Sequence, residues 1–123
     1  MARSPDPFHA FVGELFAPMG PVRIKRMFGG AGVFREGLMF ALVAGDTVYL
    51  KTDTALRSDL LSQGSEAFLW TRRGTGDMID MGYVSLPSSA MDDPDEASAW
   101  ARRALAAARA KASAKQSPGK RKV

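Results

Sequence analysis

The chain has 123 residues, 46% of them hydrophobic and 24% charged, which suits one globular domain with a single core. It contains no cysteine, which excludes disulfides, thiolate zinc sites, iron–sulfur clusters and a cysteine nucleophile. The formal charge of +4 is unevenly placed: five basic residues and no acid follow residue 110, so twelve basic residues face thirteen acids before it, and the high isoelectric point belongs to the tail.

No apolar run nears the roughly 20 residues that span a bilayer, so no membrane association is expected. An early arginine is followed by Pro5, Asp6 and Pro7 rather than by an apolar segment, and a cytoplasmic location is expected. Phe8, Phe11, Val12, Leu15, Phe16 and Met19 then fall on one stripe at helical spacing and predict an amphipathic helix over 8–19. Asp6 is placed to cap it, Pro7 suits its first position, and Gly20-Pro21 stops it.

Residues 22–28 alternate, with Val22 and Ile24 on one side and Arg23, Lys25 and Met27 on the other. Gly29-Gly30-Ala31-Gly32 then permits positive φ and a tight reversal into a strand over 33–35. Glu36-Gly37 turns that strand into 38–43, an almost unbroken apolar run suited to a buried central strand. Gly45-Asp46 turns again into 47–51. Thr52, Asp53 and Thr54 offer caps for a short helix through Leu56, Leu60 and Leu61, closed by Gly64.

Residues 67–72 and 78–85 read as two further strands. Asp92-Asp93-Pro94-Asp95-Glu96 opens a last helix, its acids matching the positive pole of the helix dipole. Ala97, Trp100, Ala101, Ala104, Leu105 and Ala108 form the apolar stripe of that helix, with Arg102, Arg103 and Arg109 outward. The order α-β-β-β-β-α-β-β-α predicts an α+β, two-layer sandwich: a mainly antiparallel sheet with helices mostly on one face. Residues 1–110 form the expected domain. Residues 111–123 form a basic tail with too few hydrophobes to fold alone.

Little in the sequence suggests catalysis. His9 is the single histidine, without a second group for a metal site or a nucleophile–base pair. The glycine cluster lacks the Gly-Lys-Ser/Thr ending of a phosphate loop and runs into a strand instead of a helix. Helix-dipole complementarity accounts for the acids at 92–96 without a cation. The expectation is therefore no enzyme, no cofactor and no metal.

Three stretches carry a family resemblance. The first is Arg26-Met27-Phe28-Gly29-Gly30-Ala31-Gly32-Val33-Phe34. The second is Gly37-Leu38-Met39-Phe40-Ala41 leading to Tyr49-Leu50-Lys51-Thr52-Asp53. The third is Leu86-Pro87, Asp92-Asp93-Pro94 and Trp100-Ala101-Arg102-Arg103-Ala104-Leu105. In this order they resemble the TfoX N-terminal domain, the front module of TfoX/Sxy-type bacterial competence regulators, over residues 8–110.

The resemblance implies a fold similar to that of secretion chaperones. It also implies a regulatory module that contacts a protein, with a transcription factor as the partner class. Larger members carry a second helical domain, so a stand-alone N-domain is expected here. Relatives also place adjacent aromatics where this chain has Met81-Gly82-Tyr83-Val84-Ser85.

The expected interaction residues are Arg26, Met27, Phe28, Gly29, Gly30 and Gly32, with Tyr49 and Lys51 beside them. By alternation Arg26 shares the side of Val22 and Ile24. It either bridges to Asp53 or another acid to hold the hairpin, or contacts a partner. The alternative is nucleic-acid binding through Arg23, Lys25, Tyr49, Lys51, Arg72 and Tyr83, basic and aromatic side chains on one sheet face, assisted by the tail. Homodimerisation through an uncovered edge strand or the last helix is also open.

Overall fold

The alternating and apolar runs form six strands. In the computed structural model, which describes residues 7–27 and 30–116, these are β1 (Arg23–Met27), β2 (Gly30–Arg35), β3 (Leu38–Ala44), β4 (Thr47–Lys51), β5 (Ala67–Thr71) and β6 (Met78–Ser85). They make one antiparallel sheet in the order β1-β2-β3-β4-β6-β5. The helices are α1 (Pro7–Leu15), α2 (Thr54–Ser62) and α3 (Pro94–Gln116), with 3₁₀ turns at Ala17–Met19 and Ser88–Ala90. The α+β class and the order of elements are those expected from the sequence.

One side of the sheet and the three helices share a core. Ala31, Val33, Phe40, Ala41, Val43, Val48, Leu50 and Val84 meet Val12, Leu15 and Phe16 from the first helical segment and Leu56 and Leu60 of α2. Phe16 and Phe40 pack edge to face, with centroids 5.5 Å apart. Each such ring contributes about 1.5–3 kcal/mol by leaving water. α3 presents Ala97, Ala101 and Ala104, all fully buried, and these small residues let it lie close against β3 and β4. Ser98 is buried on the same helix, its hydroxyl donating a long 3.4 Å bond to the Leu15 carbonyl.

The turns follow local chemistry. Glu36 (φ 57°) and Gly37 (φ 78°) form the two-residue link between β2 and β3, with both residues in the left-handed region that a tight hairpin needs. The Asp53 carboxylate caps α2, accepting the Leu56 N–H at 2.8 Å. Asp93 does the same for α3, accepting from the backbones of Asp95 and Glu96, with Pro94 at the first helical position.

Four sequence expectations change. The predicted helix over 8–19 stops at Leu15 and continues as a 3₁₀ turn, because Pro18 has no N–H to donate to the preceding turn and its ring disfavours helix before it. Phe11 of its stripe is 37% exposed. β2 begins at Gly30, three residues before the expected start, and neither Gly30 nor Gly32 has positive φ. α3 runs on to Gln116, past the expected limit at residue 110, while the remaining tail, residues 117–123, lies outside the described residues.

The fourth change concerns Arg26, which is exposed and makes no ion pair among the described residues. Asp53 is engaged as a helix cap, so the expected bridge to it does not form.

The two rims of the sheet differ. β1 carries Arg23, Lys25 and Arg26. β5, at the other rim, reads Ala-Phe-Leu-Trp-Thr and has no charge.

Candidate functional site

With the helices on one face, strand register fixes what the other face presents. Lys25, Gly32, Leu42, Tyr49 and Ser85 form one row across five strands, and Arg23, Phe34 and Met39 form a second. Leu42, Phe34 and Met39 are the apolar members of these rows. Met27, Met39 and Leu42 from one half of the sheet, and Phe68, Trp70, Met81 and Tyr83 from the other, line a recess of about 730 Å³. Trp70 is 46% exposed and Met81 48%, fractions that mark an uncovered patch where a core strand would have buried them.

Glycine shapes the floor. A Cβ at Gly32 would come within 2.8 Å of Met39 Sδ, 3.0 Å of Phe34 Cε1 and 3.1 Å of Met27 Cε, so the missing side chain is what lets these three lie across the strand. A Cβ at Gly30 would strike the Val43 carbonyl oxygen instead, a backbone atom. The two glycines thus answer to close approach, and not to the turn geometry expected of them.

β6 is bulged on this face. Its register against β5 jumps from Ala67↔Val84 to Leu69↔Asp80, and Gly82 sits in the irregularity at φ 80°. The Gly82 carbonyl accepts both the backbone N–H and the hydroxyl of Thr52, and its N–H donates to Asp80 Oδ1. This explains the departure from adjacent aromatics: Gly82 supplies the positive φ, and Val84 is fully buried in the core.

Of the residues singled out from the sequence, Met27, Gly30, Gly32, Tyr49 and Lys51 share this face. Tyr49 packs on Phe68, centroids 4.9 Å apart, and the Lys51 ammonium lies 5.3 Å from the Tyr83 ring centre. Burial raises the Tyr83 hydroxyl above its ordinary pKa. Arg26 stands apart, exposed on the edge strand, and Phe28 and Gly29 lie outside the described residues.

The basic set is not gathered. Arg23 and Lys25 border a separate recess of about 660 Å³ with Arg35 and Glu36, three strand spacings from Lys51 and four from Tyr83, and Arg72 lies in the loop beyond β5. Sequence reasoning missed Met39, Leu42, Phe68, Trp70 and Met81. The available signal was that β3 and β5 are apolar at successive positions, which one buried face cannot account for.

Charges elsewhere serve as struts. Arg57 of α2 holds Asp80 at 2.6 Å and keeps that carboxyl below its usual range, helped by the Gly82 N–H. Arg109 near the end of α3 binds Glu36 in the β2–β3 turn and lowers its pKa likewise. Among the described residues no group of three or more His, Asp or Glu side chains is close enough to hold a metal ion, and no helix is long and apolar enough to cross a membrane.

The architecture is that of a two-layer α+β domain whose sheet, among the described residues, keeps one apolar face uncovered. The family model of the TfoX N-terminal domain matches residues 14–108, and the chain belongs to that family as a competence-regulator-like domain. No curated protein matches the chain.

Proposed function

We propose that this chain is a non-enzymatic regulatory module of the cytoplasm that binds a protein partner, a transcription factor being the class its family suggests, through the open face of its sheet. One observation carries the reading: the apolar recess built by Met27, Met39, Leu42, Phe68, Trp70 and Met81 on the side without helices. Uncovered apolar patches on a soluble domain are costly unless a partner covers them. Methionine suits such a surface, because its unbranched thioether adapts to the shape that arrives.

Nucleic-acid binding is the second reading, supported by the Lys51–Tyr83 contact and by the shared face of Arg23 and Lys25. Stacking platforms place cations between the rings. Here methionine and leucine fill that interval, which favours the protein reading.

The test is affinity capture from nuclease-treated native lysate, comparing the wild-type chain with Leu42→Asp. A discrete protein retained by the wild type and lost with the variant is the expected result. Retention unchanged by Leu42→Asp would remove the open face from the function. Without nuclease, recovery of nucleic acid alone, lost with Tyr49→Ala, would favour the second reading.

A further inference from the structure

β5 ends the sheet, and among the described residues no strand pairs with its outer side. The ladder shows which backbone groups face outward there. The Ser85 N–H donates to the Glu66 carbonyl at 2.8 Å and the Arg72 N–H donates to the Asp77 carbonyl at 2.7 Å, so residues 66 and 72 turn their backbone groups inward. From Ala67↔Val84 to Leu69↔Asp80 β5 advances two residues while β6 advances four, so the bulge belongs to β6 and β5 keeps its alternation. Ala67, Leu69 and Thr71 therefore point their N–H and C=O groups away from the sheet, at the two-residue period an added antiparallel strand requires.

The side chains then specify the strand that fits. Phe68 packs on Tyr49 on the open face, and alternation puts Glu66, Trp70 and Arg72 on that face with it. Leu69 lies on the helix side, opposite the Asp80 that Arg57 of α2 holds. Leu69 and Trp70 are each about half exposed. Glu66 and Arg72 are exposed, and neither has an ion-pair partner among the described residues. A strand suited to this edge is apolar on both faces, with a cation at the end that meets Glu66 and an acid at the end that meets Arg72. β5 with its two flanking charges, run antiparallel, is such a strand. The β1 of a second copy is not, since it would set Arg23, Lys25 and Arg26 against an uncharged stretch and bring no acid to Arg72.

From this we infer that β5 is a self-recognition edge, at which two copies of the chain pair antiparallel about a twofold axis passing between Leu69 and the partner's Leu69. In that register Ala67, Leu69 and Thr71 exchange about six backbone hydrogen bonds with the partner's Thr71, Leu69 and Ala67. Phe68 stands across from the partner's Trp70, and Glu66 across from the partner's Arg72. Both are non-hydrogen-bonded positions, where facing side chains come closest. Sliding the pairing by one two-residue step sets Glu66 against Trp70, or Arg72 against Phe68, and loses the charge match. The register that pairs the full strand is thus the one that matches its rings and its charges. The inference is separate from the docking role of the open face, which edge-to-edge pairing leaves uncovered.

Sedimentation equilibrium of the full chain tests this. An interface one strand long is small against the roughly 1,200–2,000 Å² of stable complexes, so the expected dimer is reversible, with a Kd in about the micromolar range. Glu66→Arg and Arg72→Glu each set like charges opposite one another at two symmetric positions, and each should weaken the dimer about tenfold or more. The double reversal, Glu66→Arg with Arg72→Glu, should restore it. Leu69→Lys brings two ammonium groups together at the axis and should leave only monomer. Circular dichroism checks that each variant is folded, and the two reversals lie at exposed positions outside the core.

A chain that stays monomeric at hundreds of micromolar would overturn the inference. So would a dimer indifferent to the single reversals, or one that the double reversal fails to restore. A dimer lost with Leu42→Asp but kept by the edge variants would assign self-association to the open face, with the same consequence. The lysate capture decides the docking role separately.

Discussion

Gly30 and Gly32 lie two residues apart on one strand and one face, yet alanine should affect them differently. At Gly30 the new methyl would strike the Val43 carbonyl oxygen, an atom fixed by the β2–β3 ladder, so the strands themselves must separate. Overpacking of this kind costs about 1–3 kcal/mol. The reduced freedom of the unfolded chain returns about 0.4–1 kcal/mol, and the backbone origin of the clash puts the net loss at about 2 kcal/mol.

At Gly32 the nearest atoms are the far ends of Met39, Phe34 and Met27, at 2.8–3.1 Å, and these side chains can swing away. The entropic gain then offsets most of the strain, and the net change stays within about 1 kcal/mol. Thermal melts followed by far-ultraviolet circular dichroism should show Gly30→Ala falling by about 8 °C and Gly32→Ala moving by less than about 4 °C. Urea titrations should give the same order with unchanged m values. If the two variants melt together, or if Gly32→Ala is the worse, the division between backbone and side-chain contact is wrong.

Three further outcomes are expected. Asp53→Ala should cost about 1 kcal/mol by removing the α2 cap, with Asp53→Asn recovering most of it in the same melts. Arg26→Ala should leave the melting temperature unchanged within the equivalent of about 0.5 kcal/mol, since the side chain is exposed and unpaired among the described residues; a clear drop would restore the bridging role expected from the sequence.

The third outcome concerns pH. Asp80 has a folded-state pKa below its unfolded value, through Arg57 first and the Gly82 N–H second. Its contribution is therefore present above the ordinary carboxylate range and lost as pH falls through the folded pKa. The stability gap between wild type and Asp80→Asn should be widest near neutral pH and close in acid. A gap that persists in acid would mean the pair acts through packing.

Periodicity exposed most of the elements because each helix or strand here buries one face. Val12, Leu15 and Phe16, or Val48 and Leu50, announce themselves by spacing, and Asp53 and Asp93 by capping chemistry. The site was less legible. Met27, Tyr49 and Lys51 were found through family motifs, but Met39, Leu42 and Phe68 were hidden by being hydrophobic, since composition alone does not tell a core position from a docking surface. Only the placement of all three helices on one side separates the two. The glycines were misread for a related reason. Turn propensity is local, whereas the Val43 carbonyl that excludes a side chain at Gly30 comes from a strand thirteen residues away and is invisible until register is known.

The unlike rims of the sheet set a limit on its growth. A strand approaching β1 meets three cations, while β5 offers five uncharged residues with Leu69 and Trp70 about half exposed. Edges of the second kind are where chains extend one another's sheets. With one receptive rim per molecule, two copies joined there antiparallel would each use up the only inviting edge they have. Such association would end at a symmetric pair of twelve strands whose two outer rims are both the cationic β1, an edge composition that disfavours further growth into filaments.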